Sequence, residues 1–245
     1  MRFVKHYTVR WHDTGADQAV TPSRLLEFMQ ETASLHCRFL GHDLDEMRDK
    51  EGRGFVVTRL SMESLSPLHA QDEISVETWV PESCGLFFGR CYEVKRDGAV
   101  VARGTTTSAL LDLSTRRFLR VSDYDFGFIP EAAVTLSEDL PLRLRLAPSL
   151  PLVPVCTREI VCSDLDYNLH MNNTHYPDML ADALPDRTAR CVTSVVISYL
   201  AEARFGDVLS IACANDSEKD DTFYLRATRP DGTVVTEARI VAPLI

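Results

Sequence analysis

The chain has 245 residues, 45% of them hydrophobic, which is enough to bury a core in one large domain or two small ones. It carries 26 Lys and Arg residues against 36 Asp and Glu residues, and the net charge of −10 argues against a general nucleic-acid-binding protein. An acidic partner would therefore need a local basic patch. The seven cysteines are odd in number, scattered and never in a CxxC pair, which predicts reduced thiols and a cytoplasmic location.

The first predicted element is a strand at about residues 3 to 11, where MRFVKHYTVRWHD already alternates between polar and apolar side chains. This opening does not follow the basic and then apolar pattern of a leader peptide. No apolar run in the chain approaches the roughly 20 residues that a membrane span requires. We therefore expect neither a targeting segment nor insertion into a membrane.

A long helix is the next predicted element. Thr21 can cap it, Pro22 suits its first turn and Gly41 suits its end. Its polar stripe consists of Arg24, Glu27, Glu31 and Arg38. Its apolar stripe, at helical spacing, consists of Leu25, Met29, Ala33, His36 and Leu40. One face of this helix is therefore expected to be buried.

Strands follow the helix, and the pattern then starts again. Apolar and polar residues alternate from 73 to 80, as in a half-buried strand. The stretch from 126 to 153 contains four prolines and no sustained alternation, so we expect a connector that runs over the surface. A second strand at about 155 to 163 and a shorter helix at about 173 to 183 complete the series.

The chain contains an internal repeat. VTRLSMESLSPLHAQDEISV (57 to 76) aligns without a gap with VTSVVISYLAEARFGDVLSI (192 to 211), at an offset of 135 (192 minus 57). DGAVVARG (97 to 104) aligns with DGTVVTEA (231 to 238) at an offset of 134. Each Asp-Gly lies between β-forming residues and predicts a hairpin with a type I′ turn. Two ordered blocks at nearly one offset indicate two copies of one unit.

The order of elements predicts the architecture of each copy. One helix followed by antiparallel strands can bury the apolar stripe of the helix only if the sheet wraps around it. This α+β arrangement is the hotdog fold, and the repeat predicts two tandem hotdogs. We expect an N-terminal hotdog over residues 1–125, a connector over 126–153 and a C-terminal hotdog over 154–245.

The segment DYNLHMNN (166 to 173) concentrates hydrogen-bonding side chains in the second copy. In an extended segment, Asp166, Asn168 and His170 would point to the same side and converge. The alternative is a hydrogen-bonded turn ahead of the helix, because Asp and Asn are favoured at turns and caps.

The first copy does not carry these polar groups. An offset of 151, from Asp13 to Asp164, brings three other residues to their positions, namely Gly15, Asp17 and Ala19. In the strand block, Pro67 lies opposite Glu202, so the second copy also has an additional carboxylate. A capping role would be needed in both copies. Polar groups found in one copy alone therefore indicate a functional site.

At this point the sequence resembles the acyl-acyl carrier protein thioesterases of plants and bacteria. The resemblance covers nearly the whole chain and depends on GADQAVTPSRLLEFMQETASLH, FVVTRLSMESLSP and ISVETWV in the first half, and on DLDYNLHMNNTHY and SYLAEARFGD in the second. It implies a double hotdog that hydrolyses a fatty acyl thioester held on an acyl carrier protein. The catalytic set that it implies is Asp166, Asn168, His170 and Glu202.

One departure from the plant members bears on the mechanism. They have a cysteine directly after the matching glutamate, where this chain has Ala203. A Cys-His mechanism needs a thiolate within reach of the base, so we disfavour covalent thiol catalysis. Asp166 or Glu202 would activate a water, or Asp166 would attack directly. The free N–H groups at the start of the second helix, at Asn172 and Asn173, would stabilise the oxyanion.

The silent first copy is expected to bind the acyl chain, because its helix and sheet offer an apolar space. The predicted pocket residues are Leu25, Met29, Ala33, His36, Val56, Leu60 and Met62. For a docked acidic carrier protein, the candidate basic groups are Arg116, Arg117 and Arg120, and the pair Arg143 and Arg145.

Three alternatives stay open on the sequence: an acyl-CoA thioesterase, a hotdog enoyl hydratase and a non-catalytic acyl-binding protein. The hydratase motif D-x-N-P-x-H has one more residue between acid and imidazole than Asp166 and His170 have, and a proline as well. No zinc-ligand spacing, GxSxG elbow or glycine-rich phosphate loop occurs, so we expect no metal and no cofactor. The sequence leaves open whether the chain forms a homodimer.

Overall fold

The structure is a computed structural model that describes residues 1–82, 85–120, 123–137, 140–216 and 218–245. In these residues, eleven strands form one antiparallel sheet that three α-helices cover. The helices are α1 (Pro22–Phe39), α2 (Leu44–Glu51) and α3 (Tyr176–Ala181). The strands are β1 (Phe3–Thr8), β2 (Arg53–Ser64), β3 (Glu73–Trp79), β4 (Phe87–Arg96), β5 (Ala99–Asp112), β6 (Arg117–Leu119), β7 (Val153–Glu159), β8 (Ser194–Tyr199), β9 (Val208–Asn215), β10 (Thr222–Thr228) and β11 (Val234–Val241).

The order of strands repeats as a mirror image across the sheet. From one edge to the centre the order is β1-β3-β4-β5-β2, and from the centre to the other edge it is β8-β11-β10-β9-β7. From the edge of the sheet inward, the strands of each half appear in the same order: the first, third, fourth, fifth and second strand of that copy. Strand β6 pairs antiparallel with the end of β5, and it has no counterpart among the described residues of the second half. The predicted tandem hotdog is confirmed.

The two halves join through antiparallel pairing of β2 with β8. Ser61 pairs directly with Val196, and these two residues are equivalent at the offset of 135 found in the sequence. Leu60 pairs with Ile197 on one side of them. A residue can face its own equivalent only on a twofold axis, so the pseudo-twofold axis of the molecule passes between Ser61 and Val196.

The turn before the first helix of each copy has the same backbone hydrogen bonds. In the first copy, the Gly15 N–H donates to the Ala19 carbonyl at 2.8 Å. In the second, the Asp166 N–H donates to the His170 carbonyl at 2.9 Å. The offset of 151 is therefore correct at the level of the backbone, although the side chains at these positions differ.

The helix α1 begins and ends where the sequence predicts. The Thr21 side chain accepts from the Arg24 N–H at 3.3 Å, and Pro22 is the first helical residue. Gly41 adopts a φ of +86°, which a glycine tolerates without strain. The second predicted helix is shorter than expected: a 3-10 turn at Asn173–His175 leads into α3, which has six residues.

The helix α2 was not predicted from the sequence. Its segment, LDEMRDKE, is mostly charged, and Met47 is its one buried residue, so it presents no apolar stripe. Asp43 caps its first turn by accepting from the Asp45 N–H at 2.9 Å, and Gly52 ends it at a φ of +65°. Among the helices that the described residues form, none combines the length and apolar character needed to cross a bilayer.

The two Asp-Gly hairpins differ in their turns. Asp97 and Gly98 both have positive φ, at +52° and +79°, as a type I′ turn requires. In the second hairpin only Gly232 has positive φ, and its N–H donates to the Arg229 carbonyl at 3.0 Å. The prediction of a type I′ turn there is wrong, because Pro230 fixes φ near −65° and directs the chain into a different turn.

The stretch between the two copies lies against the outer face of the sheet, apart from residues 138 and 139, which are outside the described ranges. The Ser61 hydroxyl donates to the Pro141 carbonyl and the Ser198 hydroxyl donates to the Leu144 carbonyl, both at 2.8 Å. Leu146 is buried. This stretch therefore covers the junction of β2 and β8 from outside.

Candidate active site

A cavity of about 870 Å³ opens inside the first copy and extends to the polar segment of the second. Its walls come from α1, β2, β4 and β5 of the first copy and from residues 166 to 174 of the second. The apolar lining includes Phe28, Ala33, Phe55, Val57 and Phe88. The second copy contributes Asp166, Tyr167, Asn168, Asn172, Asn173 and Thr174. The two copies therefore build one site together.

The segment from Asp166 to His170 is a hydrogen-bonded turn. It is not extended, so the alternation that would bring its three polar side chains to one side does not apply. The Asp166 Oδ1 accepts from the Asn168 N–H at 2.8 Å and from the His170 N–H at 3.4 Å. Leu169 has a φ of +62°, and its counterpart Gln18 in the first copy has +63°. The Asp166 carboxylate thus stabilises the turn and also lines the cavity.

His170 and Glu202 form a direct pair. The His170 Nε2 lies 3.0 Å from the Glu202 Oε2, which also accepts from the Arg204 Nη2 at 3.0 Å. The Arg116 Nη1 lies 3.5 Å from the other carboxylate oxygen. Burial alone would raise the pKa of Glu202, but the hydrogen bond from Arg204 and the charges of His170, Arg116 and Arg204 together lower it. Glu202 is therefore a carboxylate at neutral pH.

The four polar residues predicted from the sequence thus lie in two adjacent groups. Asp166 and Asn168 line the cavity. His170 and Glu202 pair with each other beside the same turn and are not among the residues that line the cavity. The turn itself connects the groups, because the His170 N–H donates to the Asp166 carboxylate.

The start of the second helix offers one of the two N–H groups expected for an oxyanion. The Asn172 N–H is used, because it donates to the Asp164 carbonyl at 2.9 Å. The Asn172 side chain accepts from the Thr174 N–H at 3.0 Å and so caps the turn. The Asn173 N–H donates to no acceptor within the described ranges, and Asn173 lines the cavity. Asn173 therefore has the N–H that can meet a ligand.

The corresponding place in the first copy is almost filled. A cavity of about 120 Å³ lies there, lined by Asp17, Ala19 and Pro67 among others. Ala19 is the counterpart of His170 and Pro67 is the counterpart of Glu202. The loss of polar groups in the first copy therefore coincides with the loss of space.

The residues predicted for the acyl pocket do not lie together. Ala33 lines the large cavity. Met29, Leu60 and His36 are buried and are not among its lining residues. Leu25 and Met62 line the small cavity of the first copy instead.

A β-bulge explains the position of the last predicted pocket residue, Val56. The register of β2 against β5 shifts between Val57 and Arg59. Val57 lines the cavity, and because successive side chains alternate, Val56 lies on the opposite face of the strand. The sequence pattern predicts Val56 by counting back in steps of two from Leu60. The bulge breaks this alternation, so the residue that faces the cavity is Val57 instead.

Arg90 lines the cavity and was missed in the sequence. Its Nη1 donates to the Nδ1 of His36 at 3.2 Å, and its guanidinium lies 5.0 Å from the Phe128 ring centroid. His36 is 1% exposed, and burial, followed by the positive charges of Arg90 and the N-terminal amine, lowers its pKa to about 4. The alternation of Phe88, Arg90 and Tyr92 along β4 is the signal that could have identified Arg90.

Six cysteines lie in the described part of the chain, all as free thiols, and Cys84 lies outside it. None of these six thiols forms a hydrogen bond with His170 or Glu202. Cys37 lines the cavity, and burial raises the pKa of its thiol. Ala203 is fully buried beside Glu202. Among the described residues there is also no group of three or more His, Cys, Asp or Glu side chains that could hold a metal ion.

Two family models match the two halves of this sequence. Residues 1–126 match the acyl-ACP thioesterase N-terminal domain, and residues 158–241 match the acyl-ACP thioesterase C-terminal domain. The chain belongs to the acyl-ACP thioesterase family. Among curated relatives, the chloroplastic palmitoyl-acyl carrier protein thioesterase of Gossypium hirsutum is 27% identical over 240 residues, which cover 89% of this chain and 56% of the relative. The chain therefore spans little more than half the length of this thioesterase.

Solved structures of the family share the fold of this member. The acyl-ACP thioesterase from Bacteroides thetaiotaomicron superimposes with a TM-score of 0.87 at 22% identity, over 99% of this chain and 98% of that one. The 12:0-ACP thioesterase from Umbellularia californica gives a TM-score of 0.83 at 21% identity, over 100% and 98% of the two chains. The double hotdog is thus common to this chain and to bacterial and plant thioesterases.

Proposed function

We propose that this protein hydrolyses fatty acyl thioesters of acyl carrier protein, releasing a free fatty acid and the carrier thiol. The observation that carries the proposal is the junction of the polar turn with the large cavity: Asp166 and Asn168 line the same space as aromatic and aliphatic side chains from α1, β2 and β4. The names of the relatives support the choice of acyl carrier protein as the carrier.

The cavity suits an acyl chain. Its volume of about 870 Å³ lies within the roughly 300–1,000 Å³ that small-molecule sites occupy. Each methylene group that moves from water into such a space contributes roughly 0.8 kcal/mol. The chain would extend between α1 and the inner face of the first sheet, with its thioester at the turn of the second copy.

The reaction needs a base near the thioester carbonyl. Asp166 is the carboxylate of the polar turn that lines the cavity, and the other lining carboxylates, Glu27 and Glu31, lie on α1 of the first copy. The Glu202 carboxylate is already bonded to His170 and Arg204. We therefore assign Asp166 to the activation of water. Asp166 takes one proton, the hydroxide oxygen forms a bond to the carbonyl carbon, and the carbon–sulfur bond then breaks.

The remaining groups have roles that their positions support. The Asn173 N–H can donate to the oxyanion that forms on the carbonyl oxygen. Glu202 holds His170 through Nε2 at 3.0 Å. In its imidazolium form His170 gives the Nδ1 proton to the departing thiolate, and it regains a proton when Asp166 releases the one taken from water. Asn168 lies on the cavity wall and can position the water or the carbonyl.

A thiol-release assay tests the proposal. The same acyl group is presented on acyl carrier protein and on coenzyme A, and an enoyl-CoA is tested separately for hydration. Release from the carrier protein at the highest kcat/KM supports the proposal. Preference for coenzyme A would establish an acyl-CoA thioesterase, hydration would establish a lyase, and binding without turnover would establish an acyl-binding protein.

A matched pair of variants connects the activity to the site. Asp166→Asn should abolish most of the thiol release, whereas Asp17→Asn, which makes the same change in the turn of the first copy, should leave it intact. A cytoplasmic location and the division into residues 1–125, 126–153 and 154–245 stay predictions of the sequence.

A further inference from the structure

Exposed arginines and apolar side chains surround Glu202 on the outer side of the catalytic turn. Arg116, at the tip between β5 and β6, and Arg204 both contact the Glu202 carboxylate and are largely exposed. Leu200 is 55% exposed and Phe205 is 67% exposed. Large apolar side chains beside cations at the mouth of a site are typical of a protein-binding surface.

Two more arginines extend this surface along β2. Arg59 pairs with Ser198 across the junction of β2 and β8, and Leu200 lies two residues beyond Ser198. Burial lowers the pKa of Arg59, and the nearby charge of Arg143 lowers it further. Within the part of the chain that the structure describes, neither Arg59 nor Arg143 has a carboxylate at ion-pair distance. Two like charges lie side by side here without a counterion.

The tip that carries Arg116 is held against the start of β2. The Leu113 N–H donates to the Gly52 carbonyl at 2.8 Å, and the Leu113 side chain lies beside Gly54. Arg117 follows Arg116 directly, is exposed, and has no carboxylate at ion-pair distance among the described residues. The tip therefore brings a further uncompensated cation to the same surface.

We propose that this surface, defined by Arg59, Arg116, Arg117, Arg143, Leu200 and Phe205, docks the acidic carrier protein. The inference rests on the proposed function and adds the place where its partner binds. The acyl chain occupies the cavity on the inner side of the catalytic turn, so the carrier must approach from the outer side, where Glu202 and these arginines lie. The cluster is local, because the whole chain has a net charge of −10.

Charge complementarity explains why Arg59, Arg117 and Arg143 have no carboxylate partners within the described residues. Oppositely charged surfaces accelerate the encounter of two proteins and fix their orientation, and the effect weakens as salt screens it. Leu200 and Phe205 would make apolar contact once the carrier is docked. Removing a cation at the edge of the surface should therefore slow association with the carrier and leave chemistry on a small thioester unchanged.

The test compares one acyl group on two carriers, acyl carrier protein and N-acetylcysteamine, which has no protein part. Arg117→Glu and Arg143→Glu should each lower kcat/KM for the acyl carrier protein substrate by about tenfold or more, because each change replaces an attraction with a repulsion. Both variants should stay within about twofold of the unmodified protein on the N-acetylcysteamine thioester. Lys5→Glu, the same charge change on the edge strand β1, should affect neither substrate.

The outcomes separate the two proposals. Equal losses on both substrates, or no loss on the carrier protein substrate, would refute the docking surface while the thioesterase activity stands. If the unmodified protein hydrolyses the N-acetylcysteamine thioester but not the acyl carrier protein thioester, both the proposed substrate and the docking surface are refuted. A weaker salt dependence of kcat/KM in both variants would support the surface independently.

Discussion

The Nε2 of His170 lies 3.0 Å from the Oε2 of Glu202. The equivalent positions in the first copy hold Ala19 and Pro67, so no such pair can form there. The Asp166 carboxylate, which accepts from the His170 N–H, connects this pair to the cavity wall. A carboxylate that holds one nitrogen of an imidazole fixes the ring and leaves its other nitrogen for proton transfer.

We expect the pair to act as a unit in turnover. His170→Ala and Glu202→Ala should each lower kcat by on the order of a hundredfold or more, because general acid and positioning contributions are lost together. The double variant should lose little more than either single variant. Steady-state kinetics of the three variants measure this. Near-normal turnover in His170→Ala would exclude the assignment.

The two roles of Asp166 can be separated by two substitutions. Asp166→Asn keeps an oxygen that can accept from the Asn168 N–H, so it should lower kcat about a hundredfold with little change in stability. Asp166→Ala also removes the acceptor of the turn and should destabilise the fold by about 1 kcal/mol. Thermal unfolding and kcat measured on both variants distinguish the roles. Full activity in Asp166→Asn would point to Glu202 as the base.

Catalysis should not depend on a cysteine. Cys156 and Cys162 are exposed and should be alkylated readily, and neither thiol forms a hydrogen bond with His170 or Glu202. Labelling them with iodoacetamide should leave most of the thiol-release activity, provided that the protein stays folded. Mass spectrometry of the labelled sites and activity are measured on the same sample. Stoichiometric inactivation that substrate prevents would overturn the prediction.

Chain-length preference should depend on the cavity of the first copy. Ala33 lies on α1 and lines that cavity, so Ala33→Phe should narrow it and shift the preference toward shorter acyl chains. Activity on a short thioester should survive. If Ala33 serves packing alone, the change would lower kcat/KM equally at every length and destabilise the fold by roughly 1–3 kcal/mol. A series of kcat/KM values over chain length, together with the melting temperature, decides between the two.

His36 should make stability depend on pH. Its pKa is about 4 in the folded protein, because of burial and then the positive charges of Arg90 and the N-terminal amine, whereas an unfolded histidine titrates near 6.5. The unfolded chain therefore binds more protons between these values, and the free energy of unfolding should fall as pH decreases from about 6.5 to about 4, by on the order of 2 kcal/mol.

Urea denaturation across that pH range checks this prediction, with His36→Gln as the comparison. The variant has no titrating group at this position, so its free energy of unfolding should fall less steeply with decreasing pH. The informative quantity is the difference in slope between the two proteins, because substitution also changes the packing against Phe3. Parallel pH profiles would show that His36 does not contribute.

The sequence by itself determined the local features. Thr21, Pro22 and Gly41 predict the ends of α1 because capping and positive φ depend on a few neighbouring residues. The offsets of 135 and 151 predict which residues of the two copies are equivalent, and the shared hydrogen bonds at Ala19 and His170 confirm the second of them. They also identify Glu202 as a carboxylate that the first copy has lost.

The tertiary structure decided what depends on contacts between distant parts of the chain. The pairing of Ser61 with Val196 joins the copies, and it allows the turn at Asp166 to close a cavity built by the other half. A bulge in β2 exchanges Val57 for Val56, because one extra residue reverses which side chains face inward. Arg116 meets Glu202 across 86 positions of sequence. No local pattern encodes such a contact, because it results from how whole strands align.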